Sequence, residues 1–215
     1  MPPEDFETAR RLMVDRLERQ KYYDRRTTAD ALRAVPRHEF VPEDQRTAAY
    51  DDRPLPIGDG QTISAPHMVA MMVDLLELQR GDRVLEIGTG CGYHAAVTAE
   101  VVGSTNVFSV EVSPDLATST RDRLDRLGYG GISIRVGDGA AGWAEHAPYD
   151  AAYFTCAVCD IPEAVIAQLS DGGRVFAPVG RFEQELIEVI IEDGAIVDRR
   201  SHGGVRFVQI RSDDR

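Results

Sequence analysis

Lysine is almost absent from this sequence: Lys21 is the only one, and arginine carries the rest of the basic charge. Cysteine is scarce too. Cys91, Cys156 and Cys159 give neither the density nor the even count of a disulfide framework, so reduced thiols are expected. No apolar run approaches the roughly 20 residues that span a bilayer, and the chain opens on Glu4, Asp5 and Glu7 in place of a basic stretch followed by an apolar one. A cytoplasmic protein with no membrane partner is predicted. With a net charge of -12 and a pI near 4.8, the chain lacks the basic excess that neutralises phosphates, so no nucleic-acid partner is expected. Acids spread over every segment read as adaptation to a salt-rich cytoplasm, where carboxylates hold water and salt screens their repulsion. A genome that favours arginine codons is the plainer account of the missing lysine.

A length of 215 residues suits one compact α/β unit. Residues 1–65 read as N-terminal helices and a substrate-side loop, and residues 66–215 as the core. Phe6, Leu12, Met13 and Leu17 predict an amphipathic helix over 4–20. Thr27 or Thr28 caps a short helix ending near Ala34, before Pro36. Residues 36–64 hold four prolines and no sustained period, which predicts an ordered functional loop or a linker. Ser64 and Pro66 are start signals for a helix through Met68, Met72, Leu75 and Leu76. Short apolar runs at 83–87, 106–112, 132–136, 150–154 and 173–178 then alternate with helical stretches at 94–102, 114–127 and 162–169. That alternation implies right-handed crossovers and a mostly parallel sheet with helices on both faces. Runs at 186–191, 195–197 and 205–210, separated by Asp193-Gly194 and Gly203-Gly204, predict antiparallel strands added at one edge.

The first strand ends in Val84-Leu85-Glu86-Ile87-Gly88-Thr89-Gly90-Cys91-Gly92-Tyr93. Glycines at the carboxyl end of a first strand let the backbone approach a nucleotide closely. A dinucleotide fingerprint needs its third glycine one residue later, beside a pyrophosphate. Here Gly88, Thr89, Gly90 and Gly92 follow Glu86, a carboxylate that repels pyrophosphate and suits a ligand bearing an ammonium and a sulfonium. Glu111, at the end of the second strand, is placed to accept hydrogen bonds from two ribose hydroxyls. After the third, Gly137-Asp138-Gly139 offers Asp138 to an adenine amino group. The cofactor these positions predict is S-adenosyl-L-methionine (SAM), and the fold class is the Rossmann-like α/β fold of class I SAM-dependent methyltransferases.

One segment is more specific. Residues 50–68, Tyr-Asp-Asp-Arg-Pro-Leu-Pro-Ile-Gly-Asp-Gly-Gln-Thr-Ile-Ser-Ala-Pro-His-Met, resemble the signature loop of the protein-L-isoaspartate (D-aspartate) O-methyltransferases. Residues 35–42, 85–93, 137–139 and 172–180 are similar to that family as well. The resemblance implies that Ser64 is the active-site serine, that Thr62 and Ile63 line the SAM site, and that Glu111, Asp138 and Gly139 hold ribose and adenine. It implies methylation of the isoaspartyl side-chain carboxylate in damaged proteins and peptides; a monomer is expected. A carboxylate is already ionised near neutral pH, so the attack needs position and water exclusion rather than a general base. Ser64 fits an orienting donor, and a helix cap is its plainer role. His67 and His94 have no proton to take.

Two departures from the family pattern stand out. Residues 151–160 replace a small, Ala-rich stretch facing the reaction centre, and Gln209 stands where the family usually has proline. They keep open two other readings, a methyltransferase for another acceptor such as a small carboxylic acid and a non-catalytic adaptor. Cys156 and Cys159 form a Cys-x-x-Cys that, with Cys91 and His94, makes a candidate zinc or disulfide cluster. Small buried residues are the plainer reading, and no metal is assigned.

Overall fold

A computed structural model describes residues 3–211, with side chains from Asp5 onward. Helices α1 (Pro3–Arg19) and α2 (Arg26–Ala34) lead into two 3₁₀ turns, Arg37–Phe40 and Glu43–Ala48. A small antiparallel hairpin follows, β1 (Leu55–Gly58) with β2 (Gln61–Ile63), turning through Asp59 and Gly60 at positive φ. The core runs α3 (Pro66–Leu75), β3 (Val84–Ile87), α4 (Tyr93–Val102), β4 (Val107–Glu111), α5 (Pro114–Arg126), β5 (Ser133–Val136), β6 (Tyr149–Phe154), α6 (Glu163–Ile166), β7 (Leu169–Val179), β8 (Gln184–Glu192) and β9 (Ala195–Val205).

The seven core strands lie in the order β5-β4-β3-β6-β7-β8-β9, parallel except that β8 and β9 are antiparallel additions at one edge. Every residue of β3 and β4 is buried, as expected for parallel strands covered on both faces. From β3 the chain winds outward through β4 to β5, then jumps to the other side of β3 for β6. The crevice at the carboxyl ends of β3 and its neighbours is therefore the topological switch point where open α/β sheets bind ligands. Side-chain alternation sends Leu85, Ile87, Phe108, Val110, Ala152 and Phe154 to one face, where α6 and the 139–146 turns cover them. The other face, with Val84, Val107, Ala151 and Tyr153, packs under α1 to α4 and Leu124 of α5. The first 65 residues thus share a hydrophobic core with the sheet. Among the described residues no helix is long and apolar enough to cross a membrane.

Several local expectations are corrected. Thr28 does not cap α2: it is buried, its Oγ1 bonded to Asp74 Oδ1 at 2.7 Å, and the N-cap position falls on Arg25. Leu12 lies on the solvent side of α1 at 56% exposure, while Met13 and Leu17 enter the core. The helix expected at 162–169 is only the short α6, because β7 begins at Leu169. β9 is one strand continuing through Gly203 and Gly204, so no turn divides it there. Residues 206–211 leave the sheet and cross the switch-point crevice, with Ala157 N donating to Val208 O at 2.7 Å and Ile210 N to Ala157 O at 2.8 Å.

Candidate active site

The turn after β3 is built for close approach. Gly88, Gly90 and Gly92 have φ of 97°, 53° and 84°, a region that penalises a Cβ. A Cβ on Gly88 would collide with Thr155 Oγ1, and one on Gly92 would lie 2.7 Å from Thr120 Cγ2. At the end of β4, Glu111 is 6% exposed. Its Oε2 accepts from Gly90 N at 2.8 Å and its Oε1 from Ser113 N at 3.0 Å, which ties the two strand ends together. Gly88, Gly90 and Glu111 wall a cavity with Gln61, Thr62, Ile87, Val110, Val112, Gly139, Thr155, Cys156 and residues 208–211. The β1-β2 hairpin closes one side: Ile57 Cδ1 lies 3.4 Å from where a Gly90 Cβ would be, and Arg211 Nη2 donates to Asp59 O at 2.8 Å.

Thr62, Gly88, Gly90, Glu111 and Gly139 thus converge on the cavity. Ile63, Ser64 and Thr89 line a smaller recess beside it, together with Tyr93 and His94. Burial drives the His94 imidazole down to about 3, so it is neutral, and its Nε2 is buried without a partner among the described residues. Ser64 also borders a broad groove beyond the cavity. Its expected cap role is overturned: the N-cap position of α3 is Ala65, with no side-chain cap bond, and Ser64 lines the recess and the groove.

Three other residues stand elsewhere. Gly92 opens α4 and packs on Thr120 and Leu124 of α5. Asp138 Oδ1 accepts from Ala140 N at 2.8 Å, capping the turn that presents Gly139. Glu86 does not reach the cavity wall, which corrects the expectation that it faces the charged end of the cofactor. Strand parity points it into the helical face beneath α4, fully buried. There Oε2 shares a hydrogen bond with Ser109 Oγ at 2.5 Å and Oε1 one with Tyr153 OH at 2.9 Å, and Ser109 in turn meets Thr89 Oγ1 at 2.6 Å. Burial raises the Glu86 carboxyl to about 8, outweighing both hydrogen bonds, so it is a neutral acid at pH 7 that braces Thr89 from behind.

This buried acid predicts a pH dependence. Folded Glu86 keeps its proton up to about 8, whereas an unfolded carboxyl releases it near 4.5, so across that window the folded state binds more protons. Its contribution to stability falls as pH rises from about 4.5 to about 8 and is constant above. Thermal unfolding from pH 5 to 8.5 is expected to give a flatter profile for Glu86→Gln than for the parent. Equal slopes would mean that Glu86 is ionised in the fold.

Sequence reasoning missed Arg37 and Ser109, and it placed Tyr153, Thr155 and Cys156 within the segment facing the reaction centre without giving Tyr153 or Thr155 a role of its own. The signal for Ser109 was a lone polar residue inside an apolar strand. Arg37 is fully buried, its Nε donating to Ala49 O at 2.8 Å and its Nη2 to Ser64 O at 2.7 Å, with Cζ 4.8 Å from the Tyr93 ring centroid. Cys156 lines the cavity as an inert thiol, pushed up to about 12 by burial; Cys91 is also buried and Cys159 exposed, all three free. Among the described residues no cluster of His, Cys, Asp and Glu gathers to hold a metal. Asp52 Oδ1 accepts from His67 Nδ1 at 2.8 Å and His67 N at 3.0 Å, so this acid braces the loop.

The sequence profile of one family, protein-L-isoaspartate(D-aspartate) O-methyltransferase, matches residues 8–215. The chain belongs to that family. It is 50% identical over 210 residues to protein-L-isoaspartate O-methyltransferase 2 of Archaeoglobus fulgidus, covering 97% of this chain and 95% of that one. Its identity to the corresponding protein of Methanopyrus kandleri is 48%, over 95% and 92% of the two chains. A solved protein-L-isoaspartate O-methyltransferase superposes with a TM-score of 0.87 at 31% identity; 94% of this chain is covered, and the chain spans 66% of that structure's length. A Plasmodium falciparum structure described as a putative member of the family, in complex with S-adenosyl-L-homocysteine, has the same fold, with a TM-score of 0.82 at 22% identity. This family member is a SAM-dependent methyltransferase, and its cavity suits that cofactor. The glycine cradle admits an unbranched chain, Glu111 offers an anionic wall to hydroxyls, and Ile87, Val110, Val112 and Ile210 provide an apolar slot for a base.

Proposed function

We propose that this protein repairs damaged proteins and peptides by methylating the side-chain carboxylate of L-isoaspartyl and D-aspartyl residues, working as a cytoplasmic monomer without nucleic-acid or membrane partners. One observation carries the reading. Ser64 lines both the broad groove and the small recess beside the cofactor cavity, and Thr62 and Thr155 line cavity, recess and groove alike. In this reading the N-terminal 65 residues supply the loop that meets the substrate, and residues 66–215 supply the SAM core.

SAM supplies an electrophilic methyl group on a sulfonium. The protein's part is binding, orientation and exclusion of water. Glu111 would accept from the ribose hydroxyls while it holds Gly90 N, and Gly139 would meet the adenine, with Asp138 serving that contact from the turn it caps. Thr62 and Ile63 come from the hairpin side and Gly88, Thr89 and Gly90 from the sheet side, with Gly92 starting α4 behind them. Glu86 acts from behind through Ser109 and Thr89, so it is a positioning residue. Ser64 donates to the incoming carboxylate or its backbone and fixes its angle of approach; Arg37 holds the Ser64 carbonyl for that task. No base is required, which agrees with a neutral, enclosed His94 and with His67 engaged by Asp52.

The deciding measurement is transfer of labelled methyl from SAM to an isoaspartyl peptide beside its aspartyl twin, at low and multimolar salt. Base-labile label on the isoaspartyl peptide alone is the expected result, and a salt requirement would support adaptation to a salt-rich cytoplasm. SAM binding with no label at any salt would instead favour another acceptor or an adaptor role. Ser64→Ala is expected to lower kcat/KM for the isoaspartyl peptide by about 10-fold, the value of one hydrogen bond to a charged group. The Kd for SAM should stay unchanged, and equal activity of the two proteins would remove Ser64 from the reaction.

A further inference from the structure

The groove beside Ser64 is larger than a single carboxylate needs. At about 920 Å³ it has room for an extended run of peptide. Its rim is formed by the turn between β7 and β8, with Arg181, Phe182 and Glu183, and by residues 204–209 after β9. Phe182 is 93% exposed, the most exposed large apolar side chain described. The Arg181 guanidinium carbon lies 5.7 Å from its ring centroid, and Arg206 is exposed on the same groove. In a chain of net charge -12, this rim sets two arginines against Glu183 alone.

The rim is held in place. Gly180 N donates to Val158 O at 2.8 Å. Gln209 Nε2 donates to Gly180 O at 3.0 Å and to Arg181 O at 3.2 Å, so the residue that departs from the family pattern anchors the turn carrying Arg181 and Phe182. Gln184 completes the seam: its Oε1 accepts from Phe207 N at 2.6 Å and its Nε2 donates to Phe207 O at 3.0 Å. Two side-chain amides therefore stitch the segment after β9 to the turn and to the first residue of β8. An exposed aromatic and two guanidinium forks, fixed at the mouth of a substrate groove, have the chemistry to take an acidic side chain: the forks pair with its carboxylate and the ring covers its stem.

We infer that Arg181, Phe182 and Arg206, with Gln209 as positioning residue, form a subsite for the residue flanking the damaged one and favour isoaspartyl peptides with a neighbouring Asp or Glu. The inference rests on the repair reading above. An exposed ion pair is worth at most about 1 kcal/mol, so each pairing favours the acidic substrate by up to about fivefold.

The test uses the full chain and three isoaspartyl peptides that differ only in flanking residues, Glu, Ala or Lys, with kcat and KM measured at the lowest salt that keeps the protein folded. The parent should favour the Glu peptide over the Lys peptide by about fivefold or more in kcat/KM, mainly through KM. Arg181→Glu combined with Arg206→Glu should reverse that order. Arg181→Gln with Arg206→Gln should erase it, and Gln209→Ala should reduce it although both arginines remain. The readout is a ratio within each protein, so a general loss of activity cannot imitate the effect. Equal use of the three peptides by the parent, or a preference that survives in both double variants, would overturn the inference and leave the repair reading intact. Turnover of no isoaspartyl peptide would overturn the repair reading and the inference with it.

Discussion

Glu111→Ala is expected to weaken SAM binding by about 100-fold, through the loss of two hydrogen bonds to a charged acceptor at about 1.5 kcal/mol each. Glu111 closes β4 at the cavity wall, and its two oxygens also hold Gly90 N and Ser113 N. Removing the carboxylate deprives the cofactor of its hydroxyl partner and releases the glycine turn. Glu111→Gln should do little better, because its amide NH₂ would point a donor at one of two backbone donors. Calorimetric titration with SAM checks this, with thermal unfolding as the control for fold. A loss below about threefold, less than a single net hydrogen bond provides, would exclude Glu111 from the cofactor site.

Arg37→Met is expected to cost about 3–5 kcal/mol, because it leaves the carbonyls of Ala49 and Ser64 buried without a donor in a space shaped for a guanidinium. For a chain of this size that is a fall of about 10 °C in Tm. Activity should drop further than stability explains, even when assayed well below the transition, because the Ser64 backbone loses its tether. Arg37→Lys should rescue only part of both effects, since a single ammonium cannot match a planar fork reaching two carbonyls. A Tm shift under about 2 °C would mean that the loop holds Ser64 without Arg37.

These two residues illustrate how unevenly the site could be read from the sequence. Glu111 was legible because it ends an apolar run just after a glycine turn, and strand ends converge in a parallel sheet. Arg37 was not, because nothing in residues 35–42 tells that its side chain turns inward to carbonyls 12 and 27 residues away. Glu86 was legible as a strand-end acid but was given the wrong surroundings. Its environment depends on Ser109 and Tyr153, 23 and 67 residues distant, and on which face of the sheet its parity selects. Ser64 and Pro66 marked the start of α3 within one residue, yet the serine itself lies outside the cap position. The glycines at 203 and 204 looked like a turn, but pairing with β8 carries β9 through both.

The alternation of short apolar runs with helices, the glycine turn after β3 and the loop at 50–68 are local patterns. Backbone sterics and the burial of parallel strands act within a few residues, so those patterns were enough to determine the fold class, the cofactor and the family. The tertiary structure alone decided that Glu86 is a neutral brace, that Arg37 anchors the Ser64 backbone, and that Gln209 fastens the rim of the groove to the β7-β8 turn. Each of those roles is a buried or long-range hydrogen bond between residues far apart in the chain, and it comes into being only when packing brings donor and acceptor within about 3 Å.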